Sequence, residues 1–105
     1  MDHFWSYFGD YIALDLNNSK IAIKGGVPKG RSRGEGIYDI SQVVGAEAWK
    51  HPDAHDHISI IVATKTYDMI EYIVQMHDGN ARRECLEKLR GLGIEPPDNM
   101  DIAYV

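Results

Sequence analysis

His57–Met76, HISIIVATKTYDMIEYIVQM, decides how the rest of the chain folds. Its first half places Ile58, Ile60, Val62 and Thr64 on one face of an extended chain and His57, Ser59, Ile61, Ala63 and Lys65 on the other. Its second half sets Ile70, Tyr72, Val74 and Met76 against Met69, Glu71, Ile73 and Gln75. Two alternating runs joined by Thr66-Tyr67-Asp68 predict a β-hairpin at the centre of the core. A helix competes for the second half, because Asp68 and Glu71 have capping-box spacing and Ile70, Ile73, Val74 and His77 recur at helical intervals. The β preference of Ile70, Tyr72, Ile73 and Val74 favours the strand. The helix would instead leave a smaller sheet with two C-terminal helices.

Working outward on the N-terminal side, Tyr11–Leu16 and Lys20–Lys24 alternate as well, with Asn17-Asn18-Ser19 between them. Asparagine tolerates the left-handed backbone of tight loops, so a second hairpin is expected. The segment before it, MDHFWSYFGD, holds Phe4, Trp5, Tyr7 and Phe8, too much aromatic surface to leave in water, and is expected to pack down as a lid or short helix. After the hairpin, residues 25–36 read GGVPKGRSRGEG, with five glycines and a proline. They are expected to form a flexible exposed loop.

Residues 37–49 are expected as one strand with Tyr38, Ile40, Val44, Ala46 and Ala48 on one face and a break at Gln42. The alternative is a short helix capped by Ser41. Lys50–Asp56 reads as a polar turn. Beyond the central hairpin, Asn80 is the expected N-cap of a helix whose stripe is Ala81, Cys85, Leu89 and Leu92, with Gly91 or Gly93 ending it. Asp101–Val105 follows as a last edge strand or a tail.

At 105 residues the chain is expected as one domain, with an aromatic segment (1–10), a core (11–93) and a C-terminal extension (94–105). Such a chain buries roughly 60 to 70 per cent of its unfolded surface without staples. Its single cysteine, Cys85, excludes an internal disulfide and fits a reducing compartment, while Met1-Asp2-His3 lacks the basic region of a signal peptide, so the expected location is cytoplasmic. No apolar run is long enough to predict a membrane span. The net charge of −5 argues against nucleic acid as a partner. Charge is uneven: Lys20, Lys24, Lys29, Arg31 and Arg33 against Glu35 give +4 over residues 20–36, leaving −9 on the rest.

Three groups of residues invite a chemical reading. The run Gly25–Ser32 approaches a phosphate-binding G-x-x-x-x-G-K-[ST] loop, but Arg31 stands where the lysine belongs and no helix-former follows. Its amides and guanidinium groups are still suited to an anionic group on a partner. His51, His55 and His57, with Asp53 and Asp56, crowd into seven residues and form the candidate metal site, for zinc or nickel. Cys85 lies on the apolar helix stripe, where a thiol is an inert hydrophobe, and no serine sits in a G-x-S-x-G turn.

The order now assembled is a hairpin, a basic loop, the strand IYDISQVVGAEAW, a second hairpin from IIVATK to MIEYIVQM, and the helix NARRECLEKLRGL. This resembles the small pleckstrin-homology-like domains of bacterial and phage proteins over residues 11–93, with fewer strands than a full seven-stranded member. The resemblance implies an α+β fold in which one C-terminal amphipathic helix packs a bent antiparallel sheet, a partial barrel, and it implies a binding module. The expected function is a non-enzymatic interaction protein, such as an adaptor, inhibitor or immunity-type protein, that needs no cofactor; the alternatives are a metal- or small-ligand-binding module using the histidine-rich turn and an enzyme of phosphate esters using the glycine run. The interaction protein would engage a protein partner through Lys24, Lys29, Arg31, Arg33 and a neighbouring sheet edge. Homo-oligomerisation is compatible with this reading.

Overall fold

A computed structural model describes residues 3–7, 9–27, 31–50, 55–66 and 68–96. The fold is α+β: a curled antiparallel half-barrel closed on its concave side by one helix. Among the described residues seven strands occur in chain order, β1 (His3–Tyr7), β2 (Asp10–Asp15), β3 (Lys20–Val27), β4 (Arg31–Asp39), β5 (Val43–Ala48), β6 (His57–Ala63) and β7 (Met69–Gln75), followed by helix α1 (Gly79–Gly91). The sheet runs β1-β2-β3-β7-β6-β5, and β4 pairs with β3 beside this path.

The central hairpin forms as a β6–β7 ladder in continuous register from His57↔Gln75 to Ala63↔Met69. Ile58, Ile60, Val62 and Val74 are wholly buried and Tyr72 nearly so, which settles the strand over the helix for residues 69–75. On β6 even the opposite face is closed, since Ser59 and Ile61 are buried too. The first hairpin also stands, with β2 paired to β3 from Tyr11↔Lys24 to Asp15↔Lys20. Its left-handed residue is Ser19 (φ 54°) rather than an asparagine. The Asp15 carboxylate instead binds Asn18 through both its backbone and its side-chain nitrogen.

Four expectations are corrected. The aromatic N-terminal segment is neither lid nor helix; His3–Tyr7 is strand β1, paired to β2, and alternation turns Trp5 into the core and Phe4 outward. Gly9, at φ +86°, supplies the left-handed turn between β1 and β2. Apart from residues 28–30, which lie outside the described residues, the glycine-rich stretch is strand and not loop: β3 runs to Val27 and β4 begins at Arg31, paired from Lys20↔Asp39 to Val27↔Arg31 with a register shift between Gly25 and Val27. With β1 and β4 added, the strand number rises to seven.

Residues 37–49 do not form one strand. A 3-10 turn at Ile40–Gln42 separates β4 from β5. The Gln42 side chain fixes this bend by accepting from Asp39 N at 2.9 Å and donating to the Ala63 carbonyl at 3.0 Å. A register shift between Val43 and Gly45 then turns Val43, not Val44, toward the core. Lastly, Asp78 rather than Asn80 caps α1, its Oδ1 accepting from Ala81 N at 2.8 Å. An Asx cap satisfies one of the four orphan amides of the first turn.

Cys85 and Leu89 are fully buried against the concave face, with Ala81, Leu86 and Leu92 packed around them. Gly93, at φ +87°, ends the helix: its amide bonds Arg90 O and that of Ile94 bonds Leu89 O, each at 2.9 Å. This is a Schellman arrangement, and its apolar partners Leu89 and Ile94 both join the core. The chain then returns along β5, where Ala46 N donates to Glu95 O. Asp101–Val105 lies outside the described residues.

The seam of the half-barrel depends on β3. β2 occupies one edge of β3 as far as Lys24, and beyond it Gly26 pairs with Ile73 of β7. A Cβ on Gly25 would stand 2.6 Å from the Ile73 carbonyl oxygen, so the strands approach this closely only because the residue is glycine. Asp10 completes the seam: it is buried, and its Oδ2 accepts from Gln75 N at 3.0 Å.

Candidate interaction surface

The β3–β4 ribbon carries most of the basic residues singled out from the sequence. Arg31 and Arg33 lie in the first residues of β4, and Lys24 stands half-buried on β3 in register with Glu35. Lys29 lies outside the described residues. At the far end, Lys20 forms an ion pair with Asp39. The hydrogen bond from Lys20, assisted by its charge, holds the Asp39 carboxyl below the usual carboxylate value. Lys20 is thereby paired with Asp39, and Lys24 stands opposite Glu35 in the ladder. Arg31 and Arg33, two further basic residues of the cluster, stand at the start of β4.

The backbone of β4 is paired on one side only. Among the described residues its ladder is with β3 alone, and no described strand pairs with the other edge of this nine-residue strand. One side chain ties β4 across the interior: Tyr38 Oη lies 2.5 Å from Tyr72 Oη of β7. Burial, reinforced by that contact, pushes the Tyr72 hydroxyl well above the ordinary tyrosine range and keeps it protonated. The Tyr38 ring also folds back over Gly36, covering the bare backbone there.

Of the three histidines of the candidate metal site, the structure describes His55 and His57. His55 is exposed in the turn before β6, and His51 lies outside the described residues. His57 opens β6 with its Nδ1 2.8 Å from Asp56 Oδ1, and the Trp49 ring leans on it with centroids 5.6 Å apart. Gln75 Nε2 donates to the other oxygen of Asp56 at 3.2 Å. Burial alone would raise the Asp56 carboxyl, but the hydrogen bonds from Gln75 and His57 outweigh it and the net shift is downward. Among the described residues no three His, Cys, Asp or Glu side chains converge as a metal would need. His57 and Asp56 instead close the base of the β6–β7 hairpin, where Met76 N also donates to Asp56 O at 2.7 Å.

The described residues of the glycine run that approaches a phosphate loop lie in strands β3 and β4, and among the described residues the one α-helix starts only at Gly79, far along the chain from it. Cys85 is buried, and burial, with the neighbouring Glu84 charge adding to it, pushes its thiol up to about 12, the opposite of what a nucleophile needs. Ser59 is likewise buried, its hydroxyl donating to Glu71 at 2.5 Å.

The outer face of β1 to β4 was not foreseen. Phe4, Tyr11, Ala13, Ala22 and Ile37 share it, and the signal that identifies them is cross-strand register, which no single stretch of sequence displays. No helix among the described residues is long and apolar enough to cross a membrane. No family model, curated protein or solved structure matches the chain.

Proposed function

We propose that this chain is a small non-enzymatic interaction module that captures an acidic protein partner through the β3–β4 hairpin and the open edge of β4. The observation that carries the reading is that β4, which among the described residues pairs with β3 alone, begins with Arg31 and Arg33 of the basic cluster in the sequence. An edge strand offers main-chain hydrogen bonds to an incoming extended segment, and basic residues beside it steer acidic partners and fix their register. The resemblance to pleckstrin-homology-like binding modules points the same way. An adaptor, an inhibitor or an immunity-type protein would each use such a surface, and a lone buried thiol suits a reducing, cytoplasmic setting. The acidic body disfavours nucleic acid as the partner.

Replacing Lys29, Arg31 and Arg33 together by Ala tests the reading. Capture of partner protein from an extract of the native host should fall sharply. Stability should change by no more than about 0.5 kcal/mol, as for surface substitutions generally. Capture equal to that of the unsubstituted chain would remove the hairpin from the mechanism.

A further inference from the structure

Register across the first four strands assembles a row Phe4–Ala13–Ala22–Ile37 on the outer face. Its two ends are large and exposed, Phe4 at 62% and Ile37 at 71%, while Ala13 and Ala22 between them are buried at 3% and 5%. Tyr11 leans on Phe4, ring centroids 5.5 Å apart. The alternate residues Ile12, Leu14, Ile21 and Ile23 fill the core, so nothing in the core uses this row. The result is a shallow trough with an alanine floor and apolar walls, on a face whose flanking rows are charged. On one side Asp15, Lys20 and Asp39 stand in register; on the other, Ser6, Tyr11, Lys24 and Glu35.

We propose that this face binds a second copy of the chain, face to face, about a two-fold axis running parallel to the strands between β2 and β3. An isologous contact brings the same patch of both copies together, so the patch must complement itself. The parallel axis exchanges β1 with β4 and β2 with β3 and keeps each row at its own level. It lays Phe4 over Ile37 and Ala13 over Ala22, Asp15 over Lys20, Lys24 over Tyr11, and Glu35 over Ser6. Among the described residues no like charges then meet, and a lysine over a tyrosine ring is itself favourable.

The other two-fold available to a sheet face lies across the strands. It would set Lys20 over Lys24 and Asp39 over Glu35, like charge against like, which is destabilising. Among the described residues the patch is thus complementary to itself in charge about the parallel axis and not about the other. Sheets packed in this way cross at about 30°, and the alanine floor lets the two centres approach while the walls interlock. The parallel axis preserves strand direction, so both β3–β4 hairpins emerge at the same end of the pair with their β4 edges uncovered. The contact does not depend on what those hairpins bind.

Sedimentation velocity on the full chain, from micromolar to millimolar concentration, tests this. The expected result is a monomer–dimer equilibrium that Ile37→Lys weakens at least about tenfold, because each contact occurs twice per dimer, with the thermal midpoint unchanged at concentrations where both chains are monomeric. Asp15→Lys should weaken it too, by facing Lys20 of the second copy, and added salt should relieve that defect but not the Ile37→Lys one. A chain that stays monomeric at millimolar concentration overturns the proposal. So does a dimer indifferent to Ile37→Lys. A dimer sensitive to Ile37→Lys yet indifferent to Asp15→Lys overturns the parallel axis.

Discussion

The two long hairpins of this half-barrel are held by different forces. In β6–β7 nearly every inward side chain is a large apolar group, and Ile58, Ile60, Val62 and Val74 are withdrawn completely from water. Burial fixes the register there, since a one-residue slip would turn the whole apolar set outward. In β3–β4 the part beyond Ile23 has little to bury: Gly25 stands across from Gly34 and Ile23 across from Gly36. Its order comes from the backbone ladder, from the Tyr38 ring lying over Gly36, and from the close crossing of Gly25 on Ile73. One hairpin makes the core, while the other extends from it with an open edge.

Truncation in the β6–β7 hairpin should have the largest effect. Ile60→Ala removes a fully buried side chain from the centre of β6, and chemical denaturation should show a loss of about 3 kcal/mol, within the usual range for buried isoleucines. Adding a single carbon to the β3–β4 hairpin comes next. Gly25→Ala would drive its Cβ into the Ile73 carbonyl and should cost about 2 kcal/mol, as overpacking does. The sign matters more than the size. In a flexible loop the same substitution would be neutral or stabilising, because it would only restrict the unfolded chain.

The smallest effect concerns the base of β6–β7. The folded pKa of Asp56 is depressed, so its contribution is fully present above the ordinary value of 3.8 and is lost as pH falls through the lower folded value. Asp56→Asn should therefore lower the thermal midpoint at pH 7, by less than either core change, and the gap from the unsubstituted chain should close under strong acid.

The same contrast explains what could be read in advance. Hairpin β6–β7 and the stripe of α1 announce themselves because alternation and helical spacing are the direct trace of burial. The glycines of β3–β4 conceal a strand, since a residue without a side chain leaves no pattern of burial to detect. A faint signal was there: Arg31, Arg33, Glu35 and Ile37 alternate with Ser32, Gly34, Gly36 and Tyr38, a period of two written in charge and size. The basic residues of the candidate surface were legible as a cluster, but the open edge that completes it was not, because pairing partners are set by topology. Asp10 shows the same limit: an aspartate that bonds Gln75 across 65 residues has no local signature. The cap on α1 shifted by two positions, since Asp78 and Asn80 carry equivalent acceptors and tertiary packing decides between them.

Amide hydrogen exchange resolved by NMR along Arg31–Asp39 tests the central claim most directly. A strand paired on one edge alone should show alternating residues slowed and free, the slowed amides being those that bond β3. Uniformly fast exchange would mean a loop, and uniformly slow exchange would mean that the edge is already covered; either result contradicts an ordered ribbon with an open side.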